Sequence, residues 1–151
     1  MRNEVREHIE RRVREAGLKL TPQRFAVLEY LTNTPKHPTA DEIGSALNRH
    51  FPRASRATVY NTLNALRDAG LIHEVFVDGY VARYDSNIDE HHHFVCIECD
   101  KLEDVPMSFV RNMPQVKLGA GYKTEFYEII IRGLCPDCVN KAKAKKGKNK
   151  G

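Results

Sequence analysis

Ser55-Arg-Ala-Thr-Val-Tyr-Asn-Thr-Leu-Asn-Ala-Leu-Arg-Asp-Ala-Gly70 is the stretch whose reading decides the fold. Ser55 is a favourable N-cap, because its hydroxyl accepts from a backbone N–H that the first helical turn leaves without a partner. Val59, Leu63 and Leu66 recur at spacings of four and three, the buried stripe of a helix, and Gly70 tolerates the left-handed conformation that ends it. Two apolar runs follow at once, Leu71–Val77 and Tyr80–Tyr84, separated only by Asp78-Gly79. That dipeptide meets the positive-φ demand of a type I′ hairpin turn. A helix feeding directly into a β-hairpin is the closing half of a winged helix-turn-helix.

The residues upstream complete it. Val5, Ile9, Val13 and Ala16 predict an amphipathic helix over residues 3–16, closed by Gly17. Thr21-Pro22 caps a second helix, which Phe25, Ala26, Leu28 and Leu31 carry to about Asn33. Thr39-Ala-Asp-Glu42 is a capping box that opens a third, with Ile43, Ala46 and Leu47 inward. In this motif the last helix lies in the DNA major groove and presents its N-terminal residues to base edges. Arg56, Thr58, Tyr60, Asn61 and Asn64 fall largely outside the buried stripe. Arginine suits phosphate or guanine, asparagine suits adenine, and tyrosine suits phosphate or a thymine methyl. A helical packing unit with a polar outer face would show the same pattern.

Past Asp85 the texture changes. Asp85–Glu90 is polar and reads as a hinge, while His91–Cys96 and Lys101–Val105 predict short strands. Tyr122–Ile131 sets Tyr122, Thr124, Phe126, Glu128 and Ile130 on one face, and is the strongest strand candidate. Ser108–Gln115 suggests a helix that Pro114 limits. The expected fold class is α+β, with a winged helix-turn-helix domain at 1–84, a hinge at 85–90, a small α/β domain at 91–140 and a disordered basic tail at 141–151.

Charge follows the same division. Residues 1–84 hold 13 Lys/Arg against 10 Asp/Glu, residues 85–140 hold 5 against 10, and residues 141–151 hold six lysines and no acid. The first part suits a polyanion and the second suits cations. No apolar run nears the roughly 20 residues of a membrane-spanning helix. The expectation is therefore a cytoplasmic protein with no membrane partner. In that compartment paired cysteines bind metal or do redox chemistry and seldom form structural disulfides.

Cys96-x2-Cys99 and Cys135-Pro-Asp-Cys138 are two such pairs, with 35 residues between them. Each turn aims two thiolates at one point, and two turns complete a tetrahedron for structural Zn²⁺. Rubredoxin-like iron accepts the same ligands, and a redox role is open to a CxxC pair. A second group differs in kind: His91 and His93 share one strand face, Asp85 precedes them, and Asp104 lies near the end of the next strand. Imidazoles with carboxylates favour a harder divalent ion such as Fe²⁺, Mn²⁺ or Zn²⁺. A polar loop beside a zinc knuckle is the plainer reading.

In order and spacing, Leu20-Thr-Pro-Gln-Arg24, His37-Pro-Thr-Ala40, Ala57-Thr-Val-Tyr-Asn61, Asp85, His91-His-His93 and both cysteine pairs resemble the ferric uptake regulator family over residues 1–140. Within it the resemblance is to the peroxide-responsive repressors. It implies a homodimer bound to a double-stranded DNA operator, with the C-terminal half as the dimerisation domain. It implies structural zinc on Cys96, Cys99, Cys135 and Cys138, and regulatory Fe²⁺ or Mn²⁺ on His37, Asp85, His91, His93 and Asp104. It also implies Lys19 as a minor-groove contact, Tyr60 as a major-groove contact, and His37 and His91 as the imidazoles that iron and peroxide oxidise. Asp104 carries the subgroup: iron-uptake members resemble one another in a glutamate there. An iron, manganese or zinc uptake regulator is the alternative. No histidine lies between 94 and 151, so the extra histidine-rich site of some iron-uptake members has no ligand there. An enzyme is not expected, since five protein ligands crowd the cluster and no further general base is evident.

Overall fold

The computed structural model describes residues 2–49, 54–76 and 81–148. Its contacts divide the chain into two units, Met1–Asp89 and Glu90–Gly151. Among the described residues no helix is long and apolar enough to cross a membrane.

Among its described residues the first unit holds four helices and two paired strands: α1 (Arg2–Glu15), α2 (Pro22–Asn33), α3 (Ala40–Asn48), α4 (Arg56–Asp68), β1 (His73–Phe76) and β2 (Ala82–Asp85). Local chemistry sets each helix end. Thr21 accepts from the Arg24 N–H ahead of Pro22, and Thr39 and Glu42 form both bonds of the capping box. Ser55 accepts from the Thr58 N–H. Gly17 and Gly70 close α1 and α4 at φ of 67° and 71°, where any side chain would be strained. Ile9, Val13, Val27, Leu28, Ile43, Leu63 and Leu66 meet in one core. Ala46, expected inside, is only partly buried, as are Phe25 and Ala26, while Val27 takes a central place.

β1 and β2 pair antiparallel, Val75 opposite Arg83, as a wing requires. The Asp78-Gly79 turn lies outside the described residues. The polar stretch read as a hinge is held to this unit as far as Asp89. Arg12 donates to the carbonyls of Leu71 and Ser86 (2.8 and 3.3 Å), and His73 Nε2 donates to the Ile88 carbonyl at 3.2 Å.

The second unit holds β3 (His91–Cys96), β4 (Leu102–Pro106), β5 (Ile130–Gly133) and α5 (Pro136–Lys148). The sheet order is β4-β3-β5, with β4 antiparallel and β5 parallel to β3. Two expectations need correction. The strand foreseen over Tyr122–Ile131 begins only at Ile130. Parallel pairing sets His93 opposite Ile130, so β3, which starts at His91, leaves nothing for Tyr122–Tyr127 to pair with. The helix foreseen over Ser108–Gln115 is a single 3-10 turn at Met107–Phe109. The C-terminal end also differs from the reading: α5 runs on to Lys148 through the segment expected to be disordered. Alternating alanine and lysine favour helix, and lysines in the last turn complement its dipole.

Candidate metal centres and nucleic-acid face

The cysteine cluster forms where β3 and β5 end together. Cys96 closes β3, and Asp100, at φ 58°, turns the chain so that its N–H reaches the Cys96 carbonyl at 2.9 Å. Ile97 N–H binds the Gly133 carbonyl at 2.8 Å, holding the two CxxC turns side by side. Pro136 opens α5 in the position that suits proline, and Cys138 lies in its first turn.

All four sulfurs lie within 4.8 Å of one another. Cys99 and Cys135 are 3.8 Å apart, far beyond the roughly 2.05 Å of a disulfide. A tetrahedron with Zn–S bonds of about 2.3 Å has edges of about 3.8 Å. The Cys135 N–H donates to Cys96 Sγ at 3.3 Å and holds that thiol down to about 6. Burial and the neighbouring sulfurs push Cys138 up to about 12. Four thiolates this close repel, and a divalent cation relieves that repulsion, so the donor set fits a closed structural Zn²⁺ site.

Each unit carries part of the second ligand group. In the first, the Tyr84 N–H binds the Pro38 carbonyl at 3.0 Å and Thr39 bridges Arg83, which pins the loop before α3 against β2. His37 Nε2 is thereby 3.2 Å from Asp85 Oδ2, both side chains nearly buried. In the second, His91 Nε2 and His93 Nε2 approach to 3.1 Å. Asp104 Oδ1 lies 3.2 Å from the first and 3.6 Å from the second. The register explains the meeting: Asp104 stands opposite His93, while Glu103 stands opposite Phe94 on the other face. Two imidazole nitrogens and a carboxylate oxygen at one point suit a proton or a cation between them.

Two partners had no role in the expected site. His93 Nδ1 is 3.1 Å from Glu128 Oε1, a carboxylate that reading placed only on a strand face. Its signal was a lone acid within the apolar run Phe126–Ile131. His92, pointing to the opposite face and fully buried, accepts from the Ile129 N–H at 3.1 Å.

On α4, Arg56, Tyr60 and Asn61 are exposed and Thr58 is half-buried. The Thr58 hydroxyl is 2.9 Å from Ser55 Oγ, so it serves the cap. Arg56 lies 3.3 Å from Asp41 of α3 and 5.8 Å over the Tyr60 ring. Lys19 is exposed before α2, and its carbonyl accepts from Arg24 at 2.6 Å.

A winged helix and a zinc-stapled α/β unit with a histidine–aspartate cluster define a metal-responsive regulator. The Ferric uptake regulator family matches residues 15–132, and the chain belongs to it. It is 37% identical over 140 residues to the peroxide operon regulator of Bacillus subtilis, covering 92% of this chain and 96% of that one. It is 36% identical over 133 residues to the peroxide-responsive repressor PerR of Staphylococcus aureus, covering 85% and 88%. In fold it is similar to a zinc uptake regulator complexed with zinc and DNA, with a TM-score of 0.70 at 21% identity over 93% of this chain and 97% of that one.

Proposed function

We propose that this chain is a metal-dependent, DNA-binding transcriptional repressor, a cytoplasmic homodimer that senses hydrogen peroxide through iron-catalysed oxidation of a ligand histidine. The observation that carries the reading is Asp104 opposite His93, which brings one carboxylate and two imidazole nitrogens to a point on the second unit. His37 and Asp85 offer a matching nitrogen and oxygen on the first. The names of the relatives, a peroxide operon regulator and a peroxide-responsive repressor, support the same assignment.

His37, Asp85, His91, His93 and Asp104 would hold one Fe²⁺ or Mn²⁺, and an ion held by all five would tie the winged unit to the other. It would thereby set the separation of the two recognition helices in the dimer. Successive major-groove half-sites require a separation of about 34 Å. Metal and operator then favour the same state, and each raises the affinity for the other. Fe²⁺ held there would let peroxide pass one oxygen to a ligating imidazole and leave as water, chemistry that Mn²⁺ would not supply. His37 and His91 are the imidazoles that take up oxygen. Once oxidised they ligate poorly, the tie is lost, and Lys19, Arg56, Thr58, Tyr60 and Asn61 leave the DNA.

In a homodimer a second copy would cover some of the exposed apolar side chains of the second unit, such as Phe109, Tyr122 and Phe126, which are 74%, 74% and 70% exposed.

Electrophoretic shifts with zinc-loaded protein test the proposal. Mn²⁺ or Fe²⁺ should promote binding to a duplex selected from random sequence, and peroxide should release only the Fe²⁺ form. Retention of DNA by the Fe²⁺ form under peroxide would indicate a regulator of metal uptake instead.

A further inference from the structure

We infer that Glu128 is a positioning residue for the regulatory metal site, fixing the tautomer and orientation of His93 so that its Nε2 lone pair faces the ion. The inference rests on the metal site proposed above and extends it by a residue outside the five ligands.

The geometry separates the two ring nitrogens by role. His93 Nδ1 lies 3.1 Å from Glu128 Oε1, while Nε2, across the ring, lies 3.1 Å from His91 Nε2 and 3.6 Å from Asp104 Oδ1. An ionised carboxylate only accepts, so Nδ1 must be the protonated nitrogen. In the neutral imidazole Nε2 is then the lone pair, on the side where His91 and Asp104 converge. Histidines that ligate metals commonly donate their other N–H to a carboxylate, which sets the ring and strengthens the donor. Glu128 faces Nδ1, so it supports His93 from behind and leaves the ligating side to Nε2.

The local fold makes the arrangement rigid. The His93 N–H binds the Ile129 carbonyl at 3.1 Å, and the Ile129 N–H binds His92 Nδ1 at 3.1 Å. Residue 128 is thus delivered beside His93 by the backbone just before β5 begins. The His93 side chain is 4% exposed and that of Glu128 is 37% exposed. Solvent reaches the carboxylate, so its effect should fall at the low end for such partners, about tenfold in metal affinity.

The test compares wild type, Glu128→Gln and Glu128→Ala as full-length protein carrying zinc on its cysteines. Titration with Mn²⁺ reads the second site, while zinc content and thermal melting report folding. Glu128→Ala should bind Mn²⁺ about tenfold more weakly, and Glu128→Gln, whose amide oxygen still accepts from Nδ1, should fall between it and wild type. Before Mn²⁺ is added, nitrogen NMR should show His93 protonated at Nδ1 in wild type and Glu128→Gln and mixed in Glu128→Ala. Wild-type Mn²⁺ affinity in Glu128→Ala, or an Nε2-protonated His93 in wild type, overturns the inference about Glu128 alone. A wild-type protein that takes up no Mn²⁺ overturns both the inference and the metal site on which it rests.

Discussion

Asp104 stands directly opposite His93 in the antiparallel pair of β3 and β4, and its Oδ1 reaches His91 Nε2 at 3.2 Å and His93 Nε2 at 3.6 Å. The neighbouring acid, Glu103, is opposite Phe94 and faces the other way. A strand period of two therefore decides which of two adjacent carboxylates can serve the histidines.

Asp104→Ala should weaken the second Mn²⁺ site by about tenfold or more, while the cysteine zinc stays at one per chain. Glu103→Ala should leave both unchanged. Calorimetric titration of the two variants reads the difference, and equal losses would remove the face argument.

Cys96, Cys135 and Cys138 form a small buried cluster with Phe94 packed against it. Zinc should consequently hold the second unit together. Removing it with a strong chelator, or replacing Cys96 with serine, should abolish amide-exchange protection in β3, β4 and β5. Protection in α1–α4 should persist, because their core lies in the other unit. Unchanged exchange in β3 after zinc loss would contradict the staple role.

Much of this was legible because it is local. Thr21, Thr39 and Ser55 cap their own helices, and a CxxC turn brings its two sulfurs together within four residues. Alternation along His91–Cys96 also put His91 and His93 on one face, where both lie near Asp104. What escaped depends on chain neighbours far apart. Tyr122–Tyr127 has the alternation of a strand but lies beyond the reach of β3, so pattern alone misled there. Glu128 meets His93 only because β5 pairs in parallel with β3, a register no spacing records.

On the DNA face, Asn61→Ala should cost about 1–3 kcal/mol and relax preference at one base position, as expected of a base contact. Lys19→Ala should weaken binding to all sequences alike and reduce the salt slope by about one. Binding isotherms on matched and mismatched duplexes at several salt concentrations distinguish the two. Identical salt slopes and specificities for both variants would contradict these roles.

Tyr84, on β2 opposite Glu74, is fully buried, and its hydroxyl donates to Glu74 at 3.4 Å. Burial first, then the Glu74 charge, pushes its phenol up to about 12. A folded-state value above the unfolded one, about 10, means the folded protein holds this proton more tightly. The resulting stability is present in full below pH about 10 and is lost as pH rises toward 12. Absorbance at alkaline pH should show a late phenolate step that Tyr84→Phe removes and that denaturant shifts to the ordinary range. Disappearance of no such step in Tyr84→Phe would contradict the assignment.

The most direct test of peroxide sensing is mass spectrometry of the peptides containing His37 and His91, from protein loaded with Fe²⁺ and exposed to low peroxide. One added oxygen on either histidine, absent from the Mn²⁺ form and rising in step with loss of DNA binding, is the predicted result. Unmodified His37 and His91 in protein that has released its operator would contradict it.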